Sequence, residues 1–565
     1  MRTHLALCLR LAAIFGICLH VGAVEREYFM ASEEVDWNYA PTGANNQNSD
    51  KQEYADKFIK NDAHQIGATY RKVVYKHYTD DKYIVEWPKP EHMGLVGPII
   101  RAEVGDVLKI RFKNKATRAY SIYAHGVSYK KPSEGALYMD GSSGYSKEDD
   151  VVLPGKVHNY TWVITQGPSE SDPPCIPYVY HSHINMAKDT NSGLIGVLLI
   201  CKKGTLNYDH TRNDVSNELV VLSKAFDENQ SWYMDQNLRQ CGSIFVCKRT
   251  RKMGEIHWVE SNIMHSINGR SFSNLEGLAT CAGDKVAWYF LSFGDELDAH
   301  SIFVEGQVMK IQHQKKSTAS VYPGTTEAGF MIAHGPGRYR VSSMMEDHYE
   351  DGMSAFFVVN DCLYPNASLP VTTQTRAYFL SIEEDAWDYA SSGQDQLTNT
   401  TLTEGPISSL FFDKTAKIGG KYIKARYIQY LDQTFTSPID RKPDEKHMGI
   451  MGPVIRVEEG EEVIVHLQNK ATKTYSFTAQ SLYSIPENSG YSSGLFAGSE
   501  KEYRFQVPTN VTRPNDPDCV VRMYYSATDF TRDVNAGLIG PLLICRTGTL
   551  KADNQPVNMF KCLSH

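Results

Sequence analysis

The sequence lacks the features that mark a disordered, nucleic-acid-binding or membrane-spanning chain. Its 565 residues include no low-complexity run, and 41% are hydrophobic, as in folded soluble proteins. The formal net charge is only -8 and neither sign forms long blocks, so charge favours neither nucleic acid nor an anionic membrane as a partner. After residue 23, no stretch approaches the roughly 20 apolar residues that span a bilayer.

Motifs for hydrolytic or nucleotide-dependent catalysis are also missing. No nucleophile elbow, dinucleotide fingerprint or His-Glu-x-x-His zinc helix occurs in a context that would support it. The glycine pair 419–420 has no phosphate-loop lysine beside it. A short basic cluster is predicted to be a solvated loop; it comprises Lys248, Arg249, Arg251 and Lys252.

The amino terminus predicts export. Residues 1–23 combine a basic start, an apolar stretch and a small-residue end at Ala23, which is typical of a cleaved signal peptide. An exported chain forms disulfides, and nine of the 11 cysteines lie beyond Ala23. Five sequons are candidate glycosylation sites on exposed turns. They are Asn159, Asn229, Asn366, Asn399 and Asn510.

An internal repeat organises the chain. Three blocks recur in the same order about 350 residues later, a period long enough for two domains per unit. The pairs are YFMASEEVDWNY at 28–39 with YFLSIEEDAWDY at 378–389, MGLVGPIIR at 93–101 with MGIMGPVIR at 448–456, and GLIGVLLIC at 193–201 with GLIGPLLIC at 537–545. Between them, short β-branched and aromatic runs bounded by turn residues indicate an all-β sandwich or barrel.

The cysteines follow the repeat. Cys175 and Cys201 are separated by the same 26 residues as Cys519 and Cys545, which favours one bridge in each copy. A third bridge, between Cys281 and Cys362, would close the intervening region. Cys241 and Cys247 are near enough in sequence to pair with each other, which would leave Cys562 odd.

These blocks, with FDENQSW at 226–232 and NIMHSING at 262–269, resemble the multicopper-oxidase A domains shared by ceruloplasmin, hephaestin and coagulation factors V and VIII. The resemblance runs from about residue 26 to about residue 550. It implies three tandem cupredoxin-like (plastocyanin-like) Greek-key β-barrels, at 24–209, 210–365 and 366–565. Relatives of this kind carry six such barrels.

The resemblance also implies a mononuclear copper site in the second barrel, built from a cysteine, two histidines and a methionine or leucine. His300, His348 and Met353 occupy three of these positions, but Ser343 stands at the cysteine position. A serine hydroxyl is hard and stays protonated at neutral pH, so it cannot replace a thiolate. This electron-accepting site is therefore predicted to be lost. The two histidines are interpreted as hydrogen-bonded barrel residues, with a residual metal site as the alternative.

A second copper site is implied by the family's three-copper cluster, whose eight histidines come from the first and last barrels. The first barrel retains His125, His181 and His183, whereas Tyr123 replaces the fourth histidine. The corresponding segments of the third barrel, 477–480 and 525–527, contain no histidine. Because alternate strand residues share a face, the three histidines could hold copper or zinc, or serve only structurally. No catalytic residue is predicted.

A calcium site is implied for the loop from residue 131 to residue 150, which concentrates oxygen ligands. The family pattern uses the backbone carbonyl at Lys131 and the carboxylates of Asp149 and Asp150, with Ser146 where relatives have Gln or Glu. A solvated acidic turn is the alternative.

Two functional hypotheses follow. The first is a secreted, non-catalytic glycoprotein that binds calcium, copper and extracellular protein partners, similar to the heavy chains of factors V and VIII. The second is a ceruloplasmin-like or hephaestin-like copper ferroxidase, or a short form of one, that oxidises iron(II). Ser343 and Tyr123 favour the first hypothesis, because an active ferroxidase needs Cys and His there.

Overall fold

The computed structural model describes residues 24–557, except 295–297, 363–373, 414, 416, 486–493, 510, 513–515 and 552–553. The predicted signal peptide, Cys562 and the sequons at Asn366 and Asn510 lie outside the described residues. Within them, curled β-sheets pack in three pairs, which confirms the predicted all-β, cupredoxin-like class. The domain limits drawn from the sequence stay predictions. No helix in the described part of the chain is long and apolar enough to cross a bilayer.

Nine strands form the first barrel. They are β1 Glu25–Asn38, β2 Thr69–Tyr78, β3 Ile99–Glu103, β4 Val107–Asn114, β5 Tyr123–Ala124, β6 Ser128–Tyr129, β7 Val157–Val163, β8 Cys175–His181 and β9 Ile195–Cys201. One sheet has the order β2-β1-β4-β7-β6 and the other has the order β3-β9-β8-β5. In β4, Leu108, Ile110 and Phe112 alternate with more exposed residues and fill the interior.

Eleven strands form the second barrel. They are β10 Asn217–Asp227, β11 Ile263–Ile267, β12 Ala279–Cys281, β13 Lys285–Ser292, β14 His300–Val304, β15 Met309–Ile311, β16 Gln314–Lys316, β17 Thr318–Val321, β18 Thr326–Ile332, β19 Gly337–Ser343 and β20 Ser354–Asn360. The two sheets have the orders β11-β10-β13-β18-β15-β16 and β12-β20-β19-β14-β17.

The third barrel repeats the first. Its strands, with one small hairpin (β22 and β23), are β21 Thr375–Asp388, β22 Gln394–Asp395, β23 Thr400–Thr401, β24 Lys421–Tyr430, β25 Ile455–Glu458, β26 Glu462–Asn469, β27 Thr478–Ala479, β28 Tyr483–Ile485, β29 Glu500–Gln506, β30 Cys519–Tyr525 and β31 Ile539–Cys545. The orders β24-β21-β26-β29-β28 and β25-β31-β30-β27 correspond strand for strand to those of the first barrel.

Short helices connect the strands. They are α1 Gln52–Ile59, α2 Met186–Asn191, α3 Met234–Asn237, α4 Ile244–Met253, α5 Ile256–Ser261, α6 Glu346–Glu350, α7 Ser409–Phe412 and α8 Phe530–Ala536. Short 3-10 helices cover Ser49–Lys51, Glu91–Met93, Lys131–Ser133, Gly144–Lys147, Glu228–Gln230, Leu238–Gln240 and Pro443–Met448.

The basic cluster at 248–252 is helical, so its prediction as a loop was wrong. These residues lie on α4, which ends at Met253 and is capped by Gly254 in the left-handed conformation (φ 65°) that glycine adopts without strain. Basic side chains in the last turn also interact favourably with the helix dipole. The cluster is largely exposed to solvent, as expected.

The first and second barrels share one continuous core. This buried cluster contains residues of β2 and α1 from the first barrel together with residues of β10 and β13 from the second. A separate contact joins the second barrel to the third, where Phe303 packs with Tyr525 and Ala527. Packing of this extent fixes the second barrel against the first.

The structure forms the predicted disulfides. Cys175 is bonded to Cys201, Cys281 to Cys362, and Cys519 to Cys545. A fourth bond joins Cys241 and Cys247, the pair that sequence alone left open. It ties Cys241, three residues before the start of α4, to Cys247 within that helix.

Candidate metal centres

The three histidines of the first barrel lie together at one end of β5 and β8. Strand pairing places Tyr123 opposite His181, and the His125 amide extends this pairing by donating to the Val179 carbonyl at 3.0 Å. The Nε2 atoms of His125 and His181 are 3.4 Å apart. His183 is on the same side, with its ring centre 5.2 Å from that of His181.

The protonation of these imidazoles suits metal binding. Burial lowers the pKa of His125 and His183, and it lowers the pKa of His181 to about 3. All three are therefore neutral at physiological pH. Nδ1 of His181 donates to the Ser182 carbonyl at 2.9 Å, which leaves its Nε2 lone pair directed at His125. Nδ1 of His183 is buried and has no hydrogen-bond partner among the described residues.

His125 and His181 are better placed to bind a metal ion than the full set of three histidines. Two imidazole nitrogens bound at about 2.05 Å in tetrahedral geometry are about 3.3 Å apart, close to the His125–His181 separation. However, the described residues contain no group of three or more His, Cys, Asp or Glu side chains placed to hold a metal ion. The first barrel thus offers two converging ligands and an incomplete third.

Tyr123 fills the position of the missing fourth imidazole. Its ring centre lies 5.4 Å from those of His125 and His181 and 5.0 Å from that of His183. In the third barrel, Tyr525 ends β30 at the position where His181 ends β8, and it packs against Phe530 at 5.3 Å. At this position the third barrel therefore has aromatic packing and no imidazole.

The residues of the predicted mononuclear site are also brought together and buried. His300 begins β14, His348 lies on α6, and their Nδ1 atoms are 2.9 Å apart. Ser343 ends β19 next to them and is fully buried, and so is Met353. The Ser343 hydroxyl accepts a hydrogen bond from the Met345 amide at 3.2 Å. The position that a thiolate would occupy therefore carries a neutral, hydrogen-bonded hydroxyl.

Sequence reasoning missed a third histidine at this site. The ring of His265, on β11, lies 5.1 Å from that of His348, and its Nδ1 has no hydrogen-bond partner in the described part of the chain. Burial lowers the pKa of His265 to about 3, and its Nε2 is 3.5 Å from Asp351. In the sequence, His265 occurs within the block at 262–269, and no motif spacing relates it to His300.

The predicted calcium loop contains two buried carboxylates. Asp149 accepts a hydrogen bond from the Gly135 amide at 2.7 Å, and Asp150 is paired with Lys147 at 2.8 Å. Each carboxylate keeps one buried oxygen, Oδ1, without a hydrogen-bond partner among the described residues. Burial raises the pKa of Asp149. The Lys131 side chain forms ion pairs with Glu134 and Asp140, and its carbonyl accepts from the Glu134 amide at 3.3 Å.

Three predicted glycosylation sites lie within the described residues. Asn159, on β7, and Asn399, on the turn after β22, are exposed. Asn229 is half-buried, and its side-chain nitrogen donates to Asp227 at 2.9 Å and to the Val259 carbonyl at 3.0 Å. Asn159 and Asn399 are therefore the more accessible acceptors.

Sequence comparison defines the class of protein. Residues 93–205 and 447–548 match the profile of the multicopper oxidase family, so the same profile recognises both copies of the internal repeat. Together with the paired sheets and the buried histidine clusters, this match shows that the chain belongs to the multicopper oxidase family.

Relatives that match this chain include a ferroxidase, hephaestin and ceruloplasmin. The chain is 39% identical to mouse "Ferroxidase HEPHL1" over 96% of its own length and 48% of the relative's. It is 40% identical to human hephaestin over 95% of its length and 48% of the relative's. It is 36% identical to rat ceruloplasmin over 95% of its length and 52% of the relative's.

The chain therefore spans about half the length of these curated relatives. The comparisons favour the second functional hypothesis, a copper ferroxidase, over the first, a non-catalytic protein similar to factors V and VIII. Ser343 and Tyr123 remain as departures from the pattern that an active ferroxidase needs.

Proposed function

We propose that this chain is an extracellular copper-binding protein related to ferroxidases, which takes part in iron and copper handling without sustaining iron(II) oxidation on its own. The identity to a ferroxidase over nearly the whole of this chain supports the functional class. The predicted signal peptide and the four disulfides support secretion. In this proposal, the chain could bind extracellular protein partners in addition to copper.

The observation that carries the proposal is the His125–His181 pair. Both imidazoles are neutral at physiological pH, and their facing Nε2 atoms are separated by an interval that suits one metal ion. The ring centre of His183 lies 5.2 Å from that of His181, which makes His183 the candidate third ligand. Copper bound there would supply a redox-active Lewis acid.

The second barrel would not pass electrons in this proposal. His300 and His348 form a hydrogen bond between their Nδ1 atoms, and Ser343 provides no thiolate ligand. The chain alone is therefore expected to bind copper without sustained oxidation of iron(II). A copper site with only imidazole ligands also lacks the intense visible absorption that a copper–thiolate bond gives.

Replacing His181 with alanine is expected to weaken copper binding more than about 100-fold. This loss exceeds the one caused by removing a residue that only hydrogen-bonds to a metal ligand. His181 supplies one of the two converging nitrogens, so a single ligand would remain. Isothermal titration with copper and metal analysis of the dialysed chain measure the effect. His64→Ala, at an exposed histidine of the same barrel, is the matched control and should bind as the unaltered chain does. Equal copper binding by His181→Ala would refute the site.

We also propose that calcium binds beside Asp149 and Asp150. The unpartnered Oδ1 atoms of two buried carboxylates support a cation at this point, because calcium takes several oxygen ligands and would compensate their burial. Lys147 would continue to balance the outer oxygen of Asp150.

Calcium is expected to raise the unfolding midpoint of the purified chain. At a concentration 100 times Kd, a ligand that binds only the folded state adds about 2.7 kcal/mol. Asp149→Asn should abolish the calcium-dependent shift, whereas Asp209→Asn, at an exposed aspartate of the same barrel, should retain it. Thermal unfolding with calcium or with chelator measures both. An unaltered shift in Asp149→Asn would exclude this site.

A further inference from the structure

A cavity of about 260 Å³ lies between the second and third barrels. Its walls come from β19 and β20 of the second barrel and from β27, β28 and β29 of the third, and Gln47 of the first barrel also lines it. A cavity of about 150 Å³ is large enough for benzene. This one therefore has room for a single aromatic ring that carries a short polar chain.

The second-barrel wall of the cavity combines arginine with an aromatic ring. Pairing of β19 with β20 places Arg340 opposite Phe356. Tyr339 and Val341 belong to the core of the second barrel, so the alternate residues Arg338 and Arg340 face the other side of the sheet, where they line the cavity. Cζ of Arg338 lies 3.7 Å from the centre of the Phe356 ring, so this guanidinium stacks on the aromatic wall.

The third-barrel wall is the aromatic end of that barrel's core. Phe477, Tyr503 and Phe505 belong to this core and also line the cavity. The rings of Tyr503 and Phe505 lie 6.1 Å and 5.9 Å from the ring of Phe477, measured between ring centres. The three side chains therefore form one continuous aromatic surface.

A long connection covers the corresponding end of the first barrel. Strand register gives Tyr160 there the place of Tyr503. The Tyr160 hydroxyl donates to the Asp149 carbonyl at 2.7 Å, within the connection 130–151 that follows β6. The connection that follows β28 in the third barrel, residues 486–494, is much shorter. The aromatic end that the first barrel covers with its connection borders a cavity in the third.

Arg340 brings a guanidinium with an unused donor edge to the cavity. Its side chain is only 14% exposed, and its hydrogen bonds within the described residues both come from Nη1, to the Tyr349 hydroxyl at 3.0 Å and the Ala527 carbonyl at 3.5 Å. Nε is buried without a hydrogen-bond partner among the described residues, and it lies 3.7 Å from the Glu305 carboxylate. The buried Oγ1 of Thr528, another lining residue, has no partner in that part of the chain either. The cavity therefore presents polar groups that a ligand would satisfy.

Positive charge is in excess around the cavity. The charged side chains that line it are Arg338, Arg340, Lys501, Arg504, Glu305 and Glu502. Glu502 pairs with Arg504 at 2.6 Å, and Glu305 is within ion-pair distance of Arg340. Nζ of Lys501 lies 5.1 Å from the centre of the Tyr503 ring, and no carboxylate of the described residues is within ion-pair distance of it. The electrostatics of the cavity therefore favour an anion over an amine.

We propose that this cavity binds a small aromatic carboxylate. The carboxylate accepts hydrogen bonds from Nε and Nη2 of Arg340, the two-point geometry that arginine offers to carboxylates, and Lys501 adds a second positive charge. The ring of the ligand lies against Phe477 and Tyr503. An inorganic anion would leave this aromatic surface in contact with water, so the ligand carries a ring.

The test titrates the full chain with phenylacetate in the presence of a chelator, so that no bound metal recruits the carboxylate. Calorimetry should show one-to-one binding. Phenylacetamide, which has the same shape without the charge, and acetate, which has no ring, should each bind at least about 10-fold more weakly. His181→Ala should bind phenylacetate as the unaltered chain does, which separates this cavity from the proposed copper site.

Two substitutions locate the binding. Arg340→Gln should weaken phenylacetate binding at least about 10-fold and remove the preference over phenylacetamide, because the charged donor edge is lost. Arg249→Gln, at an exposed arginine on α4, is the matched control and should leave both unchanged. Ser484→Trp, at a half-buried lining residue, fills the cavity without a change of charge and should abolish binding.

Thermal unfolding of each variant confirms that it is folded, and Ser484→Trp decides the result where Arg340→Gln is unstable. Absence of phenylacetate binding by the unaltered chain would overturn the proposal. So would phenylacetamide that binds as tightly as phenylacetate, or phenylacetate binding that a folded Arg340→Gln or Ser484→Trp leaves unchanged.

Discussion

Replacing Ser343 with cysteine is expected to create a copper–thiolate site in the second barrel. His300, His348 and Met353 are buried like Ser343, the Ser343 amide donates to the Met353 carbonyl at 3.2 Å, and the Nδ1 atoms of the two imidazoles are 2.9 Å apart. A thiolate with two imidazoles and a weak methionine is the ligand set of electron-transfer copper sites. The variant should therefore bind copper(II) with an intense visible charge-transfer band, absent from the unaltered chain.

The neighbouring serine provides a matched control. Ser342 is also buried, but adjacent residues of a strand point to opposite faces, so a cysteine at 342 faces away from the histidines. Ser342→Cys should show no such band after copper is added. Visible absorption and electron paramagnetic resonance of both copper-loaded variants measure the difference. A folded Ser343→Cys that binds copper without the band would show that the pocket has lost more than its thiolate.

Removing the Glu228 carboxylate is expected to destabilise the unit formed by the first two barrels by about 3–5 kcal/mol. Both side chains of the Lys72–Glu228 pair have no exposed surface, so Glu228→Ala leaves an uncompensated buried ammonium. Burial already lowers the pKa of Lys72, and loss of the carboxylate removes the main effect that opposes this shift. Chemical denaturation followed by tryptophan fluorescence measures the change.

The pH dependence distinguishes this cause from a simple cavity. In Glu228→Ala the folded pKa of Lys72 lies further below its unfolded value of about 10.4. The unfolded state then binds more protons than the folded state, so stability should rise as pH increases toward that value. A pH-independent loss would contradict the account. Glu502→Ala, which breaks a partly exposed pair with Arg504, should cost only about 0–1 kcal/mol.

The fold could largely be predicted from the sequence because its signals repeat. The blocks at 93–101 and 448–456 mark corresponding parts of the first and third barrels, and the equal cysteine spacings predicted bonds that the structure forms. The histidines of both copper patterns could be located because the family spacing is local. These histidines lie close together in the structure because the strands that carry or adjoin them, β5 with β8 and β14 with β19, are paired.

Contacts between distant segments could not be predicted. Lys72 and Glu228 are 156 residues apart, and neither has a local pattern that marks it as buried. His265 joins His348 only because β11 and α6 meet in the second barrel. Helix α4 was missed because its mixed apolar and basic residues show only a weak helical period. Gly254 caps its carboxyl end, and the Cys241–Cys247 bond ties the preceding segment to its first half.

The most direct test of the account is to count copper per molecule in the purified secreted chain and to assay iron(II) oxidation on the same sample. The account predicts bound copper that His181→Ala removes, with no sustained oxidation of iron(II), because Ser343 supplies no thiolate to accept the electron. Sustained iron(II) oxidation by the unaltered chain, or the absence of copper that depends on His181, would contradict it.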